Sequence, residues 1–183
     1  MQLAAMQQSI QGLKFVASSS LHMTVAFIGE AKQAEEERIV AAMQQAAALF
    51  DPVEICLGGL GSFQKAKVLY CGLQSSAEPL ADLSSTVMQC LREHAIERRT
   101  LSGNDGGQKW FTPHVTLARV KAASAWAAAR DWMAEHDRDT MELAPFLISH
   151  IHLYESQSGG RYAILHSCSL TRACSLRERQ LLE

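Results

Sequence analysis

The sequence has no uninterrupted run of about 18 apolar residues, and no positively charged start followed by an apolar core. Such runs mark membrane spans and secretory signal peptides, so we expect neither. The cytosol, with the nucleus as an alternative, is the expected location. The five cysteines are odd in number and form no Cys-x-x-Cys pair, so we expect neither a disulfide framework nor a zinc site.

Basic charge is also scarce, with 17 Lys and Arg against 19 Asp and Glu and a net charge of −2. Non-specific binding to phosphates uses clustered basic side chains, so this composition excludes a surface that coats nucleic acid. A short RNA end or a small nucleotide held in a cleft is still compatible with it. Because 48% of the 183 residues are hydrophobic and no linker divides them, we expect one domain over 1–170 and a tail over 171–183.

A tripeptide occurs twice in this chain, as His-Met-Thr at 22–24 and His-Val-Thr at 114–116. Apolar and polar residues alternate around both copies, and Pro113 fits the beginning of a strand. Because successive side chains of a strand point to opposite faces, each copy should present its histidine and its threonine on one face. The opposite face of the first copy would carry Leu21, Met23, Val25 and Phe27.

The rest of the pattern alternates helices with strands and predicts an α+β fold. Good helix formers and apolar residues at helical spacing predict helices over 34–49, 80–98 and 122–136. Strands are predicted over 53–60, 67–73, 146–155 and 161–169, and a loop over 102–108. The expected architecture is a bilobal domain with two antiparallel or mixed sheets, flanked by helices around a central groove.

Two imidazoles and two hydroxyls that face one groove would suit the hydrolysis of a phosphodiester. A base must take a proton from water and an acid must protonate the departing oxygen; imidazole, with an ordinary pKa of about 6.5, can do either near neutrality. His22 and His114 are therefore the predicted acid and base, in an order that the sequence leaves open. Hydroxyl donors would stabilise the phosphoryl oxygens, which is the predicted role of Thr24 and Thr116. This chemistry needs no metal or cofactor.

These segments resemble the two-histidine phosphoesterases, whose signature is a pair of His-x-Thr/Ser motifs with apolar flanks. L-H-M-T-V-A-F-I-G-E and F-T-P-H-V-T-L-A-R-V are similar to the two motifs, and G-L-G-S-F with V-L-Y-C-G-L is similar to the central hairpin. The late I-H-L-Y-E-S and G-G-R-Y segments resemble the closing strands. Bacterial members act on RNA 2′,3′-cyclic phosphates, and eukaryotic members, some within kinase-anchoring proteins, act on 2′-5′ oligonucleotides.

The resemblance implies a metal-independent phosphodiesterase whose ligands are RNA 3′ ends, short oligonucleotides or cyclic nucleotides. The rival interpretation is a non-catalytic module that binds nucleotides or RNA ends within a scaffold protein. The family usually begins with a strand, whereas residues 1–13 here are predicted to form its first helix. Without that strand a sheet edge would be exposed, which favours dimerisation, a rearranged end or lower stability.

Several side chains outside the motifs are candidates for binding substrate. Trp110 and Phe111 precede the second motif and are able to stack on a base, with core packing as the alternative. The resemblance places Tyr154, Arg161 and Tyr162 along the groove wall.

The other histidines have alternative interpretations. His150 and His152 lie two apart on a predicted strand and would suit a metal, but no third ligand with suitable spacing is evident. Solvated or structural roles are expected for His94, His136 and His166.

Overall fold

The computed structural model of the chain describes residues 10–96, 111–158 and 161–172, and every structural statement below concerns those residues. They form an α+β fold, as the sequence predicts, in which all paired strands are antiparallel. No described helix is long and apolar enough to cross a membrane. The helices are α1 (Glu36–Ala47), α2 (Glu78–Glu93) and α3 (Trp126–Met141). The strands are β1 (Leu13–Phe15), β2 (Val53–Ile55), β3 (Leu57–Phe63), β4 (Val68–Leu73), β5 (Val115–Val120), β6 (Phe146–Ile148), β7 (His150–Gln157) and β8 (Arg161–Ser169).

The helices predicted over 34–49, 80–98 and 122–136 are present, shifted at their ends by a few positions. The helix predicted over 1–13 is wrong at its end, because Gly12 has a φ of 84° and Leu13 begins β1. Residues 1–9 and the predicted loop over 102–108 lie outside the described residues.

The strands form three sheets among the described residues, not the two that were expected. The largest has the order β1-β5-β4-β3, while β2 pairs with β6 and β7 pairs with β8. The number differs because pairing depends on partners far apart in sequence, such as Val53 and Ile148, which no local pattern reveals. We call the two-stranded sheet of β7 and β8 the ribbon.

One apolar core connects these elements. Helix α3 contacts β3, and Phe15 of β1 packs edge-on against Trp132 of α3, with ring centroids 5.3 Å apart. Helix α1 contacts α2 on one side and both strands of the ribbon on another. The core thereby connects the sheet that carries β5 to the ribbon, the two parts that flank the candidate site described below. Fully buried side chains include Ile55, Leu69, Leu80, Leu83 and Leu170.

Two β-bulges shape the four-stranded sheet. In β3 the pairing shifts by one residue between Leu57 and Leu60, where Gly59 adopts a φ of 76° that favours glycine. The end of α3 satisfies this bulge, since the Gly59 amide donates to the Thr140 hydroxyl at 3.0 Å. In β5 the extra residue is Leu117, because Leu69 pairs with Ala118 whereas Tyr70 pairs with Thr116. The second bulge alters which β5 side chains share a face.

The four described cysteines, Cys56, Cys71, Cys90 and Cys168, are free thiols. Burial raises the pKa of Cys71 to about 11, and the nearby Asp137 carboxylate contributes to that rise. Burial also raises the pKa of Cys90 and of Cys168. Buried thiols that stay protonated at neutral pH are poor nucleophiles and poor metal ligands, so these three side chains serve in packing.

Candidate active site

The second His-x-Thr motif lies at the beginning of β5, as predicted. Pro113 is buried just before the strand, and β5 is flanked by β1 and β4. Thr116 lies directly opposite Tyr70 of β4, so their side chains share the face turned away from the core. Strand β4 therefore holds Val115 and Thr116 from one side, while β1 pairs only with the later residues of β5.

The first motif does not form a strand, which corrects the sequence-based prediction. Only Met23 pairs, through a single antiparallel bridge to Val115, and the chain bends at Val25. Helix α2 holds the segment from the side, since the Ser84 hydroxyl donates to the Val25 carbonyl at 2.6 Å. Beyond the bend the alternation changes, and Phe27, which was expected on the apolar face, is 52% exposed.

The Met23–Val115 bridge brings the two motifs together. Val115 is buried and Met23 packs partly buried against the core, so both bridging side chains point inward. Their neighbours in each motif must then point away from the core. Because the bridge is antiparallel, its register sets His22 across from Thr116 and Thr24 across from His114. Each imidazole thus lies beside the hydroxyl of the other motif.

Both imidazoles are oriented by the same local contact. Nδ1 of His22 is 2.8 Å from the Ser20 carbonyl oxygen, and Nδ1 of His114 is 2.7 Å from the Thr112 carbonyl oxygen. A carbonyl only accepts, so each Nδ1 carries the hydrogen and donates it. Neither Nε2 atom bonds to a described residue, and neither does the hydroxyl of Thr24 or Thr116. Two Nε2 atoms and two hydroxyls are therefore available to a ligand.

Aromatic rings flank each imidazole. The His22 ring lies 4.6 Å from Tyr162 and 5.8 Å from Tyr154, both on the ribbon. The His114 ring lies 5.0 Å from Phe63 and 5.3 Å from Tyr70, between centroids.

Phe63 and Tyr70 form a stacked pair on the β3–β4 hairpin, with ring centroids 4.4 Å apart. Gly61 makes this arrangement possible, because a Cβ atom there would lie 2.4 Å from the Tyr70 ring. The stacked pair forms an aromatic wall beside His114, as Tyr154 and Tyr162 do beside His22.

The bulge at Leu117 adds cationic side chains to the face of the sheet that carries Thr116. Val68 and Tyr70 share a face of β4, and they pair with Arg119 and Thr116. Arg119 therefore shares the face of Thr116, although three positions separate the two residues. Lys14 of β1 lies opposite Arg119 and completes a basic pair, and neither makes an ion pair with a described residue.

The candidates for substrate binding separate into different environments. Tyr154 and Tyr162, which the resemblance places along the groove wall, both contact His22. Arg161 is exposed, but it adjoins Tyr162 on β8 and so leaves the strand on the opposite face, which argues against a place in the groove. Phe111 packs partly buried against the core, as the alternative held, and Trp110 lies outside the described residues.

Sequence reasoning missed Phe63, Tyr70 and Arg119. A glycine at position 61, two residues before Phe63, was a possible signal for close aromatic packing on the hairpin. The arginine had a weaker signal, because regular alternation would put a residue three positions after Thr116 on the opposite face. Only the bulge reverses that expectation.

The described residues include no group of three or more His, Cys, Asp and Glu arranged to hold a metal. His150 and His152 instead make hydrogen bonds to serine hydroxyls. His136 is buried and stacks on Trp132, and His94 bonds to Gln45.

The chain is similar to known proteins in sequence and in fold. A family model described as "2'-5' RNA ligase superfamily" matches residues 3–160. An RNA 2′,3′-cyclic phosphodiesterase of Aquifex aeolicus is 28% identical over 112 residues, 60% of this chain and 56% of that protein. Another, of Aeropyrum pernix, is 31% identical over 114 residues, 61% of this chain and 59% of that protein. The matched part of the chain thus spans little more than half of the length of these relatives.

Two solved structures share the fold. LigT of E. coli in apo form superposes with a TM-score of 0.66 at 19% identity, over 93% of this chain and 90% of that one. TT0787 of Thermus thermophilus superposes with a TM-score of 0.64 at 22% identity, over 93% of this chain and 89% of that one.

Proposed function

The chain belongs to the 2′-5′ RNA ligase superfamily, and from that premise we propose that it is a phosphodiesterase. Its proposed substrates are RNA 2′,3′-cyclic phosphate ends or 2′-5′-linked oligonucleotides. The observation that carries the proposal is the Met23–Val115 bridge. Its two side chains point to the core, so the imidazoles and hydroxyls of the neighbouring motif residues point together away from the core. The curated relatives, named RNA 2′,3′-cyclic phosphodiesterases, support the first of the two substrates.

In the proposed reaction one Nε2 atom accepts a proton from water, and the water oxygen attacks phosphorus. The bond from phosphorus to a ribose oxygen breaks, and the second imidazole protonates that oxygen as it departs. The Nδ1 contacts to the Ser20 and Thr112 carbonyls support these roles, because they orient each ring and expose its Nε2 atom. Either His22 or His114 can be the base, because both rings have the same Nδ1 contact.

The surroundings suit a nucleotide. The hydroxyls of Thr24 and Thr116 would donate to the phosphoryl oxygens, where charge develops in the transition state. Arg119 and Lys14 supply positive charge on the same face of the sheet as Thr116. Tyr154, 39% exposed beside His22, offers a ring on which a base would stack.

The test is a panel of 2′,3′-cyclic mononucleotides, 2′-5′ dimers and 3′-5′ dimers, assayed in excess chelator. We expect turnover of a cyclic phosphate or a 2′-5′ dimer, none of the 3′-5′ dimers, and a bell-shaped dependence on pH, because one imidazole must be neutral and the other charged. The double variant His22→Ala/His114→Ala, purified identically, is the control for contaminating nucleases.

Three results would contradict parts of this proposal. Activity that disappears in chelator and returns with zinc or manganese would indicate a metal-assisted hydrolase. Turnover by the double variant would show that the motifs are not the site. Tight nucleotide binding without turnover of any member of the panel would favour the non-catalytic binding module.

A further inference from the structure

Two histidines and two serines form a polar strip on the exposed surface of the ribbon. His150 lies opposite Ser169, and His152 lies opposite Ser167, so all four side chains share one face. All four residues are exposed. We call these four residues the His–Ser strip.

Hydrogen bonds hold the imidazoles of the strip in place. Nδ1 of His152 is 2.7 Å from the Ser167 hydroxyl, and Nε2 of His150 is 3.1 Å from the Ser169 hydroxyl. The Ser149 hydroxyl contacts the other nitrogen of His150 at 2.8 Å. The two rings are nearly parallel, at 4°, with centroids 6.1 Å apart. Nε2 of His152 has no partner among the described residues and is available to a ligand.

The strip continues directly from the candidate active site. His152 contacts Tyr154 with ring centroids 5.9 Å apart, and Tyr154 contacts His22 at 5.8 Å. His150, His152 and Tyr154 alternate along β7 and therefore share the face that meets His22. Opposite Tyr154 on that face is Ile164, which is 55% exposed. Going away from His22, a ligand would meet a flat apolar surface first and polar side chains next.

The hydrogen-bond donors of this face suit a phosphate or a ribose. Imidazole N–H groups and serine hydroxyls donate hydrogen bonds, which phosphate oxygens accept. The one carboxylate of the described ribbon, Glu155, pairs with Ala163 on the opposite face, so it does not repel an anion here. Alternation of stacking rings and hydrogen-bond donors is the arrangement by which proteins bind single-stranded RNA.

We infer that the His–Ser strip binds the nucleotide that precedes the one bearing the scissile phosphate. The substrate would then be an RNA end of at least two nucleotides, with the terminal nucleoside at Tyr154 and the preceding phosphate or ribose at the strip. This inference rests on the proposed function, because the scissile phosphate fixes the position of the terminal nucleotide.

The test compares two substrates in one series of proteins. Adenosine 2′,3′-cyclic phosphate reports on the catalytic groove alone, and the corresponding adenylate dinucleotide ending in a 2′,3′-cyclic phosphate reaches the strip. For the wild type we expect a higher kcat/KM on the dinucleotide. In His150→Ala/His152→Ala the ratio of the two kcat/KM values should fall by about two- to tenfold, because the variant loses the hydrogen bond from Nε2 of His152, the ring nitrogen that has no partner among the described residues. His166→Ala is the matched control, because His166 lies opposite Leu153 on the other face and should leave the ratio unchanged.

Binding measurements separate failure of this inference from failure of the proposed function. Adenosine 3′-monophosphate and its dinucleotide counterpart ending in a 3′-phosphate are titrated into the same proteins. If no substrate is hydrolysed but the dinucleotide binds more tightly and loses that advantage in the strip variant, the strip is a binding subsite and the enzyme proposal fails. A ratio that is the same in wild type and strip variant, in both turnover and binding, overturns the strip inference.

Discussion

The two halves of the candidate site carry matching side chains on very different backbones. Thr116 lies in β5 and is paired with β4, and His114 directly precedes that strand, whereas His22 and Thr24 lie in a segment held by one bridge and one contact from Ser84. Even so, each imidazole donates from Nδ1 to the carbonyl two residues earlier and faces aromatic rings. A short local contact thus orients a histidine equally well on either backbone.

The difference also concerns the surroundings of each half. Tyr154 and Tyr162 reach His22 from the ribbon, while Phe63 and Tyr70 reach His114 from the hairpin within its own sheet. Pairing with β4 fixes the second half, and side chains from two other elements support the first. The two halves should therefore be equally necessary for catalysis and unequally tolerant of change.

Removing either imidazole should have the largest effect. His22→Ala and His114→Ala should each lower kcat by at least about 10²-fold, because each removes one of the two proton-transfer groups. The double variant should lose much less than the product of the single losses, since acid and base act as a unit. Steady-state assays with a saturating 2′,3′-cyclic phosphate measure kcat for the single variants and for the double variant. A kcat within a few-fold of wild type for either single variant would disprove the equivalence of the two halves.

Much of this site could be predicted from sequence because its determinants are local. Alternation gave the shared faces of the His-x-Thr motifs, and the pattern of β3 and β4 gave the hairpin. The absence of a strand around the first motif could not be predicted in the same way. Its alternating pattern resembles that of β5, but a strand also needs neighbours along its length, and among the described residues of this segment only Met23 has one.

Arg119 and Tyr70 show a second limit of sequence reasoning. Their positions depend on a one-residue bulge and on which strands are neighbours, and neither is encoded in a short window. Arg161 is the converse case. It is next to Tyr162 in sequence, but neighbouring residues of a strand point to opposite faces, so Arg161 points away from His22. The side chains that adjacent strands and the bulge bring beside the second motif are therefore the ones that sequence analysis missed.

Removing the hydroxyls should have a smaller effect than removing the imidazoles. Thr24→Ala and Thr116→Ala should each lower kcat by roughly 10- to 10³-fold, since each deletes one donor to the phosphoryl oxygens. Thr116, fixed in β5, should give the larger loss, because a rigid donor is better oriented than one on a singly bridged segment. Thr24→Ser and Thr116→Ser are the matched controls and should retain most of the activity. Equal losses in the serine and alanine variants would mean that the methyl groups, not the hydroxyls, are needed.

Disturbing the aromatic wall beside His114 should have a smaller effect again. Gly61→Ala would introduce a methyl group 2.4 Å from the Tyr70 ring and displace that ring from His114. We expect kcat/KM to fall by about three- to tenfold, because misplacing a group near the reacting atoms impairs its alignment. Gly72→Ala is the control, as its methyl group would come no closer than 3.4 Å to the Gly58 carbonyl oxygen. The NMR signals of the His114 ring should shift in Gly61→Ala and stay in place in Gly72→Ala. If they stay in place in Gly61→Ala, Tyr70 does not influence the His114 ring.

The smallest effects should come from removing a single tyrosine hydroxyl in each half of the site. Neither the Tyr162 nor the Tyr70 hydroxyl bonds to a described residue, and both rings meet their imidazoles through edge contacts. A hydroxyl without a partner contributes less than the roughly 0.5–1.5 kcal/mol of an ordinary hydrogen bond, so Tyr162→Phe and Tyr70→Phe should change kcat/KM by less than about threefold. The measurement is kcat/KM of both variants on one cyclic substrate across the pH range. A loss of two orders of magnitude in Tyr162→Phe alone would show that its phenol transfers a proton, and the equal division of acid and base between His22 and His114 would have to be abandoned.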